Sequence, residues 1–316
     1  MIHAFSGGVG GARLSRGLAD ELVGEDLTIV VNTGDDFDHL GLRIMPDFDS
    51  VVYGIAGWND TVRGWGRAEE TWQCRDALAE FGVDTWFSLG DKDLALHLLR
   101  LSLLESGATF TEAAAEIVHR MGINCRVVPM TDHPVETIVI TDNGDLSFQD
   151  YFVRMRCEPR VTAFRLAGVE RAAPSAAWFD PLTGGDTRGV VLCPSNPFVS
   201  IGPILGLPGV EAALRRSAAP VIAVSPIVAG DAVKGPLAKM LRELGQPVTP
   251  LAIFAHYGDL LDGFVLDVRD EIFAPQLRER GVRVAVCDTL MSDREASRRV
   301  ARACLALLSE CDDHAG

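Results

Sequence analysis

The sequence predicts an α/β protein, a mainly parallel sheet with helices on both faces and a smaller insertion. Three observations carry this. Short β-branched runs alternate with stretches whose apolar residues recur three and four positions apart, a glycine-rich turn follows directly on the first run, and one Asn-Gly turn between alternating apolar residues interrupts the rhythm. In chain order, Ile2 to Phe5 reads as the first strand and Ala12 to Val23 as the helix after the glycine turn. Leu27 to Val31 is the second strand, and Ser50 to Ala56 opens a helix. Helical spacing then covers Ala68 to Phe81, Leu94 to Leu104 and Phe110 to Met121. Thr137 to Thr141, the turn Asp142-Asn143-Gly144-Asp145 and Leu146 to Phe152 form a hairpin, within an insertion over roughly residues 130–180. Buried strands return at Gly189 to Cys193, Val221 to Val224, Phe264 to Val268 and Val282 to Cys287. Helices are expected at Pro236 to Leu244, Asp270 to Arg280 and Ser292 to Cys311. No repeat, low-complexity tract or linker divides the chain, so residues 1–316 are expected to form a single Rossmann-like domain.

With 316 residues, 47% of them hydrophobic and 23% charged, the chain has the composition of a soluble globular protein able to bury a substantial core. Its 44 acidic against 29 basic side chains give a formal net charge of −15, which repels nucleic-acid backbones and anionic membranes. Neither is an expected partner. The seven cysteines include no C-x-x-C pair, which argues against a zinc site or disulfide framework and for a reducing, cytoplasmic setting. No signal peptide is read at the start. The most apolar stretches, 189–210 and 219–229, are interrupted by Pro194, Pro197, Pro203 and Pro226, unlike the roughly 20 continuous apolar residues of a membrane span.

The first fifty residues carry the chemistry. Ser6-Gly7-Gly8-Val9-Gly10-Gly11 follows a strand, so the backbone can approach a ligand closely and point amides at an anion, normally phosphate. Asn32 ends the neighbouring strand, which brings the acidic loop Asn32-Thr33-Gly34-Asp35-Asp36 and the segment Pro46-Asp47-Phe48-Asp49 to the same crevice. Carboxylates beside phosphate imply a cation such as Mg²⁺, which takes one or two carboxylates plus phosphate oxygens. A metal-assisted enzyme acting on a phosphorylated nucleotide is therefore expected. The alternative role of these aspartates is turn formation and helix capping. Standard nucleotide motifs fail: Arg13 stands where the dinucleotide fingerprint needs glycine, and the phosphate loop's lysine is missing.

Further loops follow other strands. Ser88-Leu89-Gly90-Asp91-Lys92-Asp93 opens a helix, and Lys92 could neutralise phosphate. Pro194-Ser195-Asn196-Pro197 and Ser225-Pro226-Ile227 place small hydroxyl groups where the chain turns, with Lys234-Gly235-Pro236 on the far side. Trp58, Trp65 and Trp72 recur every seventh residue, with Trp86 further on. Core packing is the better expectation for them, stacking on a flat heterocycle the alternative. The histidines show no metal-ligand spacing; only His39, inside the acidic loop, carries functional weight.

Several of these motifs, in fixed order along nearly the whole chain, resemble the CofD/FbiA family, the 2-phospho-L-lactate transferases of coenzyme F(420) biosynthesis. They are Ser-Gly-Gly-Val-Gly-Gly-Ala-Arg (6–13), Asn-Thr-Gly-Asp-Asp (32–36), Gly-Leu-Arg-Ile-Met-Pro-Asp-Phe-Asp (41–49), Gly-Asp-Lys-Asp (90–93), Pro-Ser-Asn-Pro (194–197), Ser-Ile-Gly-Pro-Ile (200–204), Ser-Pro-Ile-Val (225–228) and Asp-Thr-Leu-Met (288–291). The resemblance implies transfer of a phospho-organic acid, as phospholactate, phosphoenolpyruvate or phosphoglycerate, from a guanosine diphospho-conjugate to the ribityl hydroxyl of the deazaflavin Fo, with GMP leaving. It places Asp49 and Lys92 at Fo, and the guanosine diphosphate on Gly7, Gly8, Gly10, Gly11 and Ser195-Asn196-Pro197. Asn32, Ser225, Lys234 and Gly235 complete the expected substrate site. Asp35, Asp36 and Asp49 are the expected Mg²⁺ ligands. Asp49, Lys92 and Asp36 are the expected catalytic set, with Asp49 open between metal ligand and proton acceptor. A homodimer is expected by the same resemblance. The alternative is a non-catalytic nucleotide-sugar-binding regulator of related fold. Such proteins typically carry Asp-Asp-Gly-Gly-Ser-Ser where this chain reads Asp35-Asp36-Phe37-Asp38-His39-Leu40. A plain nicotinamide dehydrogenase ranks lower, given Arg13.

Overall fold

A computed structural model describes residues 1–22 and 24–312. Seven strands form one parallel sheet: β1 (Ile2–Ser6), β2 (Leu27–Val31), β3 (Arg126–Pro129), β4 (Gly189–Leu192), β5 (Val221–Val224), β6 (Gly263–Asp267) and β7 (Arg283–Cys287). Their spatial order is β7-β6-β5-β4-β1-β2-β3, so the chain winds outward from β1 in one direction and then in the other. This is the doubly wound order, whose crevice opens between β1 and β4 at the carboxyl ends of the strands. Alternate side chains serve opposite layers. Phe5, Val30, Leu192, Ala223 and Phe264 enter one core, while Ala4, Ile29, Val31, Val191, Ile222 and Val265 enter the other.

The edge strand β3 was not among the expected strands. It is short, begins with Arg126, and follows directly on helix-patterned sequence, so its apolar run is too brief to stand out. Helices α1 (Gly8–Glu21), α2 (Pro46–Ala56), α3 (Gln73–Glu80), α4 (Asp91–Glu105) and α5 (Phe110–Arg120) lie where helices were read, with shifted ends. Two shifts matter. Helix α1 begins at Gly8 rather than Ala12, and α2 at Pro46 rather than Ser50, so the glycines and Asp47 and Asp49 belong to first turns. Helix α3 is shorter than the Ala68 to Phe81 pattern, and the helices Ala176–Gly184, Val210–Arg216 and Pro250–Tyr257 were not anticipated. The last helix, Arg294–Asp312, packs along α1, where a Cβ on Gly17 would collide with the Ser297 backbone.

Within the 130–180 stretch, Glu136–Thr141 pairs antiparallel with Gly144–Ser147 across Asp142-Asn143, and with a further strand, Val161–Ala167, on its other side. The second arm of the hairpin stops at Ser147, and the chain then coils through Asp150–Arg154. This small sheet covers the acidic loop: the Thr137 N–H donates to the Gly34 carbonyl at 2.7 Å, and Gln149 Nε2 to the Asp35 carbonyl at 3.5 Å.

Candidate active site

Parallel register brings the loops together. Ser6 is level with Val31, and Phe5 with Leu192, so Gly7, Asn32 and Ser195 leave the sheet at one edge. The Gly7 N–H donates to Ser195 Oγ at 3.1 Å, and that hydroxyl donates to the Gly7 carbonyl at 2.7 Å, stitching the two loops. The glycines are required by this closeness. A Cβ on Gly10 would lie 2.5 Å from the Pro194 carbonyl, and one on Gly11 2.5 Å from both Ser195 Oγ and Ser6 Oγ. Gly8 has φ +61, a left-handed conformation that glycine adopts without strain.

Gly7 caps α1 with no side chain, so the first-turn N–H groups look outward without intrahelical acceptors. One of them, on Gly8, donates to Asp47 Oδ1 at 2.6 Å. Asn32 Nδ2 donates to Asp47 Oδ2 at 2.9 Å and to the Val199 carbonyl at 3.2 Å, while its Oδ1 accepts from the Gly34 N–H at 2.8 Å. Burial raises the Asp47 carboxyl to about 6 despite the two donors that hold its anion.

Asp35 and Asp36 lie beside it, each 5% exposed. Asp35 Oδ1 and both oxygens of Asp36 are buried with no hydrogen-bond partner, and Arg43 approaches Asp36 no closer than 4.0 Å. Burial, reinforced by Asp47, pushes both carboxyls well above the usual range; Arg43 and Arg100 moderate Asp36. Unsatisfied buried oxygens in such a cluster are costly unless something electropositive fills them. The donor set, carboxylate oxygens beside the uncapped amides of α1, fits a hard divalent cation.

Asp49 departs from the expected metal trio. Its carboxylate is ion-paired with Arg100, itself 1% exposed, whose guanidinium also donates to the Arg43 carbonyl at 3.0 Å and lies 3.0 Å from His97 Nδ1. The cluster continues along α4: His97 Nε2 is 3.5 Å from Asp93, which accepts from the Tyr53 hydroxyl at 2.6 Å. Burial raises the Asp49 carboxyl while Arg100 and His97 pull it down. Asp49, Asp93 and His97 alone would suit a metal, but the guanidinium already neutralises Asp49. Asp49 is thus tied to α4 rather than grouped with Asp35 and Asp36.

The other expected site residues divide. Asn196 Oδ1 accepts from the Phe198 N–H at 2.9 Å, and Pro197 opens the following turn. Ser225 is closed on itself in a turn, its hydroxyl donating to the Ile227 carbonyl at 3.0 Å. Lys92 is half-buried beside Glu69 at 3.4 Å, and Lys234, followed by the left-handed Gly235, reaches the Gly64 carbonyl at 3.5 Å. His39 packs among Phe37, Trp86 and Phe87 rather than on the acidic cluster. Trp58 and Trp65 are not core residues, being 39% and 49% exposed with Arg67 and Arg63 stacked on them. The core tryptophan is Trp178, whose Nε1 donates to the Met130 carbonyl at 3.1 Å. The Arg100, His97, Asp93 and Tyr53 cluster went unread because it joins two helices, α4 and α2, far apart in sequence and with no shared motif. Only the i, i+4 spacing of Asp93 and His97 hints at it.

Fold and site together define a doubly wound α/β protein whose switch-point crevice gathers uncapped helix amides and buried carboxylate oxygens without hydrogen-bond partners. The 2-phospho-L-lactate transferase CofD family matches residues 2–305. A phosphoenolpyruvate transferase of Kitasatospora aureofaciens is 37% identical over 98% of both chains. A 2-phospho-L-lactate transferase of Methanosarcina barkeri is 35% identical over 96% of this chain and 97% of its own. Among solved structures, a upf0052-family protein of Bacillus halodurans aligns with TM-score 0.64 at 16% identity, covering 96% of this chain and 98% of that one, a likeness of fold alone. The chain belongs to the CofD transferase family.

Proposed function

We propose that this chain transfers a phospho-organic acid from a guanosine diphospho-conjugate to the ribityl hydroxyl of Fo, using a bound Mg²⁺. The observation that carries this reading is the set of unpartnered, buried oxygens of Asp35 and Asp36 beside the uncapped start of α1, in a chain of this family. The hydroxyl oxygen attacks the phosphorus bearing the acid and gives up its proton to water, the bond to the GMP phosphate breaks, and GMP leaves with the electron pair.

Such a displacement needs positioning and charge neutralisation more than covalent help. The α1 amides would cradle the diphosphate, and Asp47 and Asn32 hold the Gly8 turn for that task. Asp35 and Asp36 would hold the cation, which when bound supplies neutralisation of phosphate charge. Their raised carboxyls would then ionise, because a cation reverses the local preference. Asp49, held by Arg100, would orient the acceptor; Lys92, whose exposed pairing with Glu69 is weak, is free to reach phosphate. The working form would be a homodimer, checked by sedimentation.

Incubating the protein with Fo, Mg²⁺ and each of the phospholactyl, phosphoenolpyruvyl and phosphoglyceryl guanosine conjugates, then weighing products, is the test. One conjugate should yield a ribityl phosphodiester and GMP, with loss of product in EDTA. No product from any conjugate would overturn the reading, and full activity in EDTA would remove the metal from it.

A further inference from the structure

The outward face of α1 carries cations that the proposed reaction leaves unused. Val9, Ala12, Arg13 and Arg16 fall on one helical face and line an open cleft that is also lined by Tyr53 of α2, by Trp65 and by Ser292. Among the described residues, Arg13 and Arg16 have no carboxylate or carbonyl partner, and Arg16 Nε is buried with none. This stands out in a chain of net charge −15, where neighbouring arginines are matched: Arg294 by Asp20 at 2.5 Å and Arg298 by Glu21 at 2.7 Å.

The cleft's own carboxylates do not compensate. Asp60 is held by Arg63 at 3.1 Å and by the N–H groups of Val62 and Arg63. Asp293 accepts from the Ser292 hydroxyl at 3.0 Å and from the Ala296 N–H at 2.9 Å. Lys234 adds positive charge at the rim, near enough to Arg13 that the guanidinium, after burial, lowers its ammonium.

We infer that Arg13 and Arg16 form an oxyanion subsite that takes a phosphate or carboxylate group of the donor against the Trp65 indole. This rests on the proposed reaction for the identity of the donor. A guanidinium presents a planar fork that matches both oxyanions bidentately, and two unpaired forks on successive turns are poised for such a group. The residue that breaks the dinucleotide fingerprint at position 13 is then itself a ligand-binding residue.

The test titrates wild type, R13Q, R16Q and the double variant with inorganic pyrophosphate in EDTA at low salt, then with GDP and the three conjugates in Mg²⁺, with thermal unfolding as the check on folding. Each single variant should bind pyrophosphate about tenfold more weakly, the double variant weaker still, with the difference shrinking at high salt and Fo affinity unchanged. Weakened GDP assigns the oxyanion to the nucleotide phosphates; intact GDP with weakened conjugates assigns it to the acid's carboxylate. Equal affinities in wild type and folded double variant for all these ligands would overturn the subsite. In wild type alone, pyrophosphate should protect Arg13 and Arg16 from phenylglyoxal, and unchanged modification at saturation would overturn it without any variant. Loss of pyrophosphate binding in the variants, with no turnover by wild type, would sink the proposed reaction and leave the subsite standing.

Discussion

At position 10 a single methyl group decides whether the glycine turn can meet the loop after β4, since it would lie 2.5 Å from the Pro194 carbonyl. Backbone cannot yield as a side chain can, so Gly10→Ala and Gly11→Ala should each cost about 1–3 kcal/mol in denaturant unfolding and weaken GDP binding. Gly8→Ala meets open space and carries only the left-handed penalty of about 1–2 kcal/mol. Arg100 is a second such residue. Arg100→Met leaves Asp49 buried and unpaired and should lower stability by about 3–5 kcal/mol, while adding Asp49→Leu should restore much of the loss. His3 gives a pH signature. It is fully buried against the Trp178 ring edge with neither ring nitrogen hydrogen-bonded, and burial lowers its pKa to about 4. Below its unfolded value of about 6.5 the unfolded chain takes the proton first, so stability is intact above that pH and is lost as pH falls towards 4. The full effect is about 3 kcal/mol, and His3→Phe should flatten the urea midpoint between pH 6.5 and 4. The glycines and aspartates were legible because their residue types restrict what a turn can do. Arg100 and His97 were not, because a salt bridge between α2 and α4 leaves no mark on either segment alone.

At the scale of elements, helix starts are where sequence and structure part. Periodicity registers apolar side chains, and the first turn of α1 consists of glycine and valine, so the pattern begins only at Ala12. Pro46 at the first helical position of α2 is a start signal in its own right, and it moves Asp47 and Asp49 from a loop onto a helix that fixes their directions. Strand β3 was missed because a four-residue edge strand carries too few apolar positions to show a period, and Val161–Ala167, though seven residues long, because adjacent Ala163 and Phe164 break its alternation. The packing of α1 on Arg294–Asp312 depends on Gly17. Gly17→Leu should force these helices apart and lower the unfolding midpoint by several degrees, whereas the same change at the open, left-handed Gly107 should cost only its local strain.

For the whole molecule, no single helix among the described residues is long and apolar enough to cross a membrane, and both cores lie against the central sheet. Ligand binding at the switch point should couple to the entire fold. GDP with Mg²⁺ at about a hundred times its dissociation constant should stabilise the native state by about 2.7 kcal/mol, read as a rise in melting temperature that EDTA and Asp36→Asn abolish. The amino-acid sequence alone determined the strand and helix alternation, the glycine turn, the acidic loop and the family motifs, because each is local chemistry or order along the chain. Which carboxylates stay unpaired and which are neutralised was decided only by the tertiary structure. Asp36 and Asp49 are the same side chain at similar burial, and they differ in that α4 brings Arg100 into direct hydrogen-bonded contact with Asp49, whereas Asp36 feels Arg43 and Arg100 only at a distance. A charge's partner is chosen by packing across elements, and the linear pattern does not contain that choice.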